Sequence, residues 1–223
     1  MIHRHRNYKI TETNYNGEFK EFFASNNYLR NTLDWIFNAV MALVLLFVTW
    51  PVMLIVVLCM KMTEGFSAPI FYKQERVGLD GEPFSIIKFR SMRLDAEKDG
   101  AQMASENDSR ITKIGLYLRK YRIDELPQIW NVLHGDMGFV GPRPERPQFV
   151  QSLIKNLPYY NERHNVKPGL TGWAQLKYPY GATEADSLEK LKYDLYYIKH
   201  RSFLLDLLIL IRTVEIVLFG KGR

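Results

Sequence analysis

The longest apolar stretch of the chain, residues 35–60, carries no charged side chain and has polar sequence on both sides. A run of that length reads as a membrane segment rather than a core helix. Pro51 follows Trp50 past its middle, where a proline removes a helical hydrogen bond and forces a kink. Taken alone, the pattern describes an ordinary kinked transmembrane helix. A second apolar stretch, 203–219, contains Asp206, Arg212 and Glu215. Each such charge near a helix centre costs roughly 2.5–3.5 kcal/mol on an insertion scale, so this stretch is expected on the membrane surface or against the domain.

Beyond the first apolar run, segments 70–76 and 83–90 flank Gly78-Leu79-Asp80-Gly81, which predicts a β-hairpin. Period two in the second strand sets Ile86, Lys88 and Arg90 on one face and Ile87 and Phe89 on the other. Residues 92–104 read as a charged, solvated helix. Residues 110–121 read as a helix capped from Asn107, Asp108 or Ser109, with Ile111, Ile114, Leu118 and Tyr121 as its apolar stripe. Pro127 is tolerated only in a first helical turn, so the next helix is expected to start at Asp124 and Glu125 and run on through 128–133. Segment 145–157 predicts another helix, 167–176 a loop around Trp173, and 184–200 a long helix with Tyr193, Tyr196 and Tyr197 at interface level. Residues 1–30 are polar without sustained periodicity, expected to be loosely ordered or to lie along the membrane. The chain divides into a polar segment 1–32, a membrane helix 33–62 and a domain 63–223. The class is α+β, mostly helical.

A chain of 223 residues fits one moderate domain. Its charge of +6 and pI near 9.3 point to an anionic partner without choosing between nucleic acid, lipid head groups and a nucleotide sugar. The cations are scattered rather than gathered in a run with interleaved aromatics, which argues against nucleic acid. About thirty polar residues precede the apolar run and no small-residue cleavage site follows, so no signal peptide is expected. The single cysteine, Cys59, excludes an intramolecular disulfide and a multi-cysteine zinc site. His134, His164 and His200 lack metal-ligand spacing, and no P-loop or Rossmann glycine pattern occurs.

The candidate chemistry gathers at Asp124 and Glu125. Arg119, Lys120 and Arg122 precede them, and a glycine-rich loop closed by Pro142-Arg143-Pro144 follows. The electropositive start of a helix is expected to hold both carboxylates ionised, as ligand or nucleophile. The local pattern leaves equally open that Asp124 is a plain N-cap. Likewise Lys88 and Arg90 suit a phosphate or a solvated strand face, and Arg119 a phosphate or the helix dipole. Trp173 suits a nucleobase or a packed core.

The ordered strings IDELPQIWNVL, GDMGFVGPRPE and VKPGLTGWAQL, with FYKQERVG and FSIIKFRSM before them, resemble the bacterial sugar transferase family of monotopic polyprenyl-phosphate phosphoglycosyltransferases. The likeness runs from about residue 35 to the C-terminus. It implies transfer of a sugar-1-phosphate from a UDP-sugar to undecaprenyl phosphate with release of UMP. Asp124 would form a covalent phosphosugar, with Glu125 assisting. Lys88, Arg90, Arg119 and Arg143 would bind phosphate. Asp124 and Glu125 would hold Mg²⁺. The resemblance also implies that the helix bends at Pro51 and re-enters the same leaflet, and that interfacial helices keep the domain on the cytoplasmic face of the inner membrane among its lipids. Such an enzyme would initiate exopolysaccharide, capsule or O-antigen assembly. Trp50 stands where the family has a serine, a departure for which Thr49 offers a nearby hydroxyl. A membrane-anchored basic binding module or scaffold without catalysis is the alternative. The transferred sugar and a homodimeric state stay open.

Overall fold

The computed structural model describes residues 28–98, 100, 108–178, 181 and 183–220. The expectations for residues 1–27 and for most of 99–107 therefore lie outside the described residues. The described residues from Asn38 onward form one compact unit, and the packing that follows belongs to it.

Helix α1, Tyr28–Glu64, contains Pro51 within a single helical assignment. Its stretch Thr32–Glu64 is the one described helix long and apolar enough to cross a membrane. Polar hydroxyls inside it are satisfied locally: Thr49 donates to the Leu45 carbonyl at 2.6 Å and Thr63 to that of Cys59 at 2.8 Å. Gly65, at φ 93°, ends it with a backbone bond to the Lys61 carbonyl. One face is covered at two levels. Ala42 joins a cluster of Ile86, Ile129, Val132, Met137 and Phe139, while Val56 and Met60 pack with Phe89 and Leu118. Phe47, Val48, Trp50 and Ile55 stay exposed.

The hairpin forms as expected, β1 (Phe71–Val77) pairing antiparallel with β2 (Pro83–Phe89) across a 3₁₀ turn at Leu79–Gly81. The far edge of β2 is finished by a side chain. Asn131 accepts from the Ile87 N–H at 3.1 Å and donates to the Ser85 carbonyl at 2.8 Å and to Asp136 at 3.1 Å.

Several expectations change. Segment 94–98 is a series of turns, with Glu97 held by Arg146 at 2.7 and 3.1 Å and by the hydroxyl of Tyr72 on β1 at 3.3 Å. Helix α2 is shorter, Lys113–Lys120, with Thr112 as its N-cap. The Asp108 carboxylate is taken by Arg110, and a bridge between Met92 and Ile111 keeps that stretch extended. Ile114 and Leu118 face the core, but Tyr121 is exposed. Arg122, left-handed at φ 53°, then turns the chain into a 3₁₀ segment, Ile123–Gln128, which leads into α3, Ile129–His134.

Two short strands, β3 (Gly138–Val140) and β4 (Gly169–Thr171), pair in parallel. A Cβ on Gly169 would lie 2.1 Å from the Gly141 nitrogen, so glycine is what lets the two backbones meet. The loop expected over 167–176 is thus β4 followed by α5, Trp173–Lys177. Pro147 begins α4, Pro147–Asn156. Helix α6, Glu184–His200, carries a capping box between Thr183 and Asp186. Tyr197 is buried in the core rather than at an interface, its hydroxyl donating to Asp206 at 2.7 Å. Helix α7, Phe203–Leu218, buries Ile209 and exposes Phe203, Leu204, Ile211 and Val214.

Candidate active site

The 3₁₀ segment packs directly against β2, which sets Asp124 and Glu125 beneath Lys88. Both carboxylates are buried, at 8 % exposure each, yet their surroundings differ sharply. Glu125 Oε1 lies 3.5 Å from Lys88 Nζ and is bonded by Arg143, while its Oε2 lies 3.7 Å from Arg122. Three cations therefore converge on one carboxylate. No hydrogen bond or ion pair engages the Asp124 carboxylate among the described residues; the charges of Lys88, Arg119 and Arg143 reach it through space.

Electrostatics separate the pair further. Burial, then the like charge of Glu125, raises Asp124 to about 6, against the pull of the nearby cations. Burial also works to raise Glu125, but Arg143, Lys88 and Arg122 outweigh it and hold the carboxyl well below the ordinary range. Lys88 is lowered to about 8 because burial of the ammonium exceeds what Glu125 returns across 3.5 Å. The expectation that a helix start would hold both acids ionised is thus met for Glu125 by arginine and lysine rather than by a dipole. For Asp124 the shift has the opposite sign. The shift leaves Asp124 more basic than an ordinary carboxylate. A partly desolvated carboxylate facing fixed cations is suited to attack an electrophile that arrives with negative oxygens.

The structure brings Lys88, Arg119, Arg143, Asp124 and Glu125 together and sets Arg90 apart. The Arg90 guanidinium is bonded by Glu64 and donates to the Pro69 carbonyl at 2.8 Å, fastening the end of α1 to β2. Trp173 stacks on Tyr196, ring centroids 6.3 Å apart, and Lys177 Nζ lies 4.7 Å from the Trp173 ring centre.

A divalent cation was also expected. Among the described residues no three His, Cys, Asp or Glu side chains are grouped to hold one unaided. Mg²⁺ commonly takes one or two protein carboxylates and completes its octahedron with water and phosphate oxygens. The unengaged Asp124 carboxylate fits that habit; Glu125 fits it if a cation partner yields.

The model of the bacterial sugar transferase family matches residues 29–220. The chain belongs to the bacterial sugar transferase family. It is 44% identical to the UDP-N-acetylgalactosamine-undecaprenyl-phosphate N-acetylgalactosaminephosphotransferase of Aeromonas hydrophila, over 77% of this chain and 40% of that protein. It is 43% identical to the UDP-glucose:undecaprenyl-phosphate glucose-1-phosphate transferase of Xanthomonas campestris pv. campestris, over 82% of this chain and 38% of that protein. Against the uncharacterized sugar transferase EpsL of Bacillus subtilis (strain 168), identity is 40% over 85% of this chain and 89% of the relative. The chain spans about two-fifths of the first two relatives and most of the third.

In this bacterial sugar transferase, the sequence named Arg122 only as a flanking cation and gave no role to two further groups that shape the site. Arg122 stands three residues before Glu125, an i, i+3 spacing that signals a pair on a helical turn. Asn131 lies inside a quoted motif without a role. Arg163 and its buried partner Asp194, at 2.9 Å, come from separate segments, and no local pattern announces them.

Proposed function

We propose that the protein is a phosphoglycosyltransferase that moves a sugar-1-phosphate from a UDP-sugar to a polyprenyl phosphate such as undecaprenyl phosphate, releasing UMP. The observation that carries the reading is the division of labour between the adjacent acids. Glu125 is committed to Lys88, Arg122 and Arg143, while Asp124, raised to about 6, keeps its carboxylate unengaged. Family membership and the names of the relatives support the reaction class.

On this reading, an Asp124 oxygen attacks the phosphorus that bears the sugar. The new O–P bond forms as the P–O bond to UMP breaks, and UMP leaves with the electron pair. A phosphate oxygen of the polyprenyl acceptor then attacks the same phosphorus, and the Asp124 carboxylate is the leaving group. Dividing the transfer in two means the soluble donor and the membrane-held acceptor need not be bound together. Lys88, Arg119 and Arg143 face the phosphate oxygens, and Glu125 keeps those cations converged. Bound Mg²⁺, held by Asp124 and Glu125, would neutralise diphosphate charge.

The packing of α1 supports a re-entrant membrane helix. Residues from Ala42 to Met60 would span about 27 Å in a straight helix, nearly a bilayer core, yet both levels pack on the same domain. A helix that crossed the bilayer would carry one of those levels away from it. Exposed apolar side chains of α1 and α7 are then the surfaces offered to lipid, on the cytoplasmic face of the inner membrane.

The test is UMP release from a panel of UDP-sugars with undecaprenyl phosphate, including UDP-glucose and UDP-N-acetylgalactosamine because the relatives' names differ in the sugar. Native protein should release UMP and Asp124→Asn should not. Equal release by both, or none from the native protein, would overturn the reading and favour a non-catalytic scaffold.

A further inference from the structure

Arg143 meets Glu125 from a loop that cannot hold itself in place. Pro142 and Pro144 lack N–H groups, so at those positions the backbone offers only acceptors. Four successive carbonyls of this loop each accept a hydrogen bond from a residue distant in sequence, two of them from neighbours on β1. Pro142 accepts from the Gly169 N–H at 3.0 Å and Glu145 from that of Val77 at 2.9 Å. Between them, Arg143 accepts from Arg163 at 2.8 Å and Pro144 from Arg76 at 2.9 Å.

The two arginines are themselves held. Arg163 donates through Nε to Asp194 at 2.9 Å and through its other terminal nitrogen to the Tyr160 hydroxyl at 2.6 Å, and its guanidinium lies 4.9 Å from the Tyr160 ring centre. Arg163 and Asp194 are 6 % and 2 % exposed. A buried ion pair is weak evidence for stability, since its desolvation offsets its attraction. Here the fork leaves one nitrogen aimed at the carbonyl of a residue whose side chain touches the candidate site. Arg76, on β1, reaches the next carbonyl and also donates to Glu145 at 3.4 Å and Gln74 at 2.5 Å.

We infer that Arg163, set by Asp194, and Arg76 are positioning residues: they clamp the carbonyls of Arg143 and Pro144, and so aim the Arg143 guanidinium at Glu125. The inference rests on the phosphoglycosyltransferase reading for its effect on turnover. The clamp is a statement about geometry and has its own test.

Lysine distinguishes this role from simple charge balance, because it keeps the cation but lacks the planar fork that serves several partners at once. Arg163→Lys and Arg76→Lys are made singly in the native protein and in Arg143→Ala, each in detergent micelles and checked for cooperative thermal unfolding. Each should lower kcat/KM for UMP release on the order of tenfold in the native background. In Arg143→Ala the same changes should cost less than about twofold, since the group they aim is gone. Full additive losses in both backgrounds would overturn the inference. The second arm needs no turnover: hydrogen–deuterium exchange at the Val77 and Gly169 amides, which donate to the same loop, should quicken in both lysine variants, and unchanged exchange would overturn it too. If Arg163→Lys fails to fold, Arg76→Lys decides alone. A native protein that releases no UMP would sink the reaction reading and leave the exchange arm to judge the clamp.

Discussion

Replacing Asn131 by alanine tests how the acid-bearing segment is locked to the lysine-bearing strand. The side chain is 4 % exposed and makes three hydrogen bonds, to the Ile87 N–H, the Ser85 carbonyl and Asp136. Alanine leaves the strand's N–H without an acceptor inside the protein. An orphaned buried group costs about 1–3 kcal/mol, and the Ser85 carbonyl costs less because Ser85 itself is exposed to water. The expected loss is about 2–4 kcal/mol, which for a domain of this size lowers Tm by about 5–15 °C. Asn131→Asp is the sharper variant. It keeps the shape and the acceptor for Ile87, but loses both donated bonds and sets a carboxylate against Asp136. It should be at least as damaging as alanine at pH 7.5 and recover part of the loss in acid. The assay is thermal unfolding in detergent micelles by tryptophan fluorescence, beside UMP release, which should fall because Lys88 and Glu125 lose their shared register. A Tm change under about 2 °C in alanine, or an aspartate variant as stable as the native protein, would refute the argument.

Incubated with a sugar-labelled UDP-sugar and no acceptor, native protein and Glu125→Gln should retain label by intact mass while Asp124→Asn should not; the reverse pattern would exchange the two roles. Asp124→Asn should also unfold at a higher temperature than native at pH 7.5, because a carboxyl raised to about 6 destabilises the fold when ionised, and this gain should vanish as pH falls below the unfolded value near 4. Turnover against pH should be a bell, falling below about 6 as Asp124 protonates and above about 8 as Lys88 loses its proton. Glu125 raises both groups, so Glu125→Gln should slow turnover and move both limbs to lower pH; an acid limb that moves up would contradict the assignment. Excess EDTA should abolish UMP release and Mg²⁺ restore it. In a Cys59→Ser background, single cysteines at positions 14 and 67 should be equally protected from an impermeant reagent in intact cells, and labelling of the first alone would mean a full span.

The parts of this fold legible in the sequence are those whose signal is local. The stretch 184–200 announces α6, the Gly78–Gly81 turn announces the hairpin, and the uncharged run announces α1. What was hidden depends on partners distant in sequence. Strands β3 and β4 have three residues each, too few for a period, and exist because Gly141 and Gly169 let two backbones touch. Asp124 was legible as chemistry but not as environment: its raised pKa comes from burial beside Glu125, whereas a helix start argues for the opposite shift. Arg90 and Lys88 share a strand face by parity, yet Glu64 captures one and Glu125 the other. Tyr197 resembles its exposed neighbour Tyr196 in sequence, and partners outside α6, Asp206 and the Val140 carbonyl, tell them apart.

The cluster beneath Ala42 draws on both α1 and α7, since Leu210 packs into it beside Met41 and Leu45. During synthesis at roughly 5–20 residues per second, Leu210 follows Ala42 only after an interval on the order of ten seconds. Ile86, Ile129 and their neighbours come first and Leu210 last, so until then the inner face of α1 is bare or only partly covered, and a helix already in the bilayer must be acceptable to lipid. Its composition largely meets that demand: Met41, Ala42, Leu45, Leu46, Met53, Val56 and Met60, all later covered, are apolar, and Asn38, which accepts from the Phe139 N–H at 2.8 Å, adds a polar group near the start of the face. A helix with a polar inner face could pack as well in the finished protein, but would have nowhere to wait.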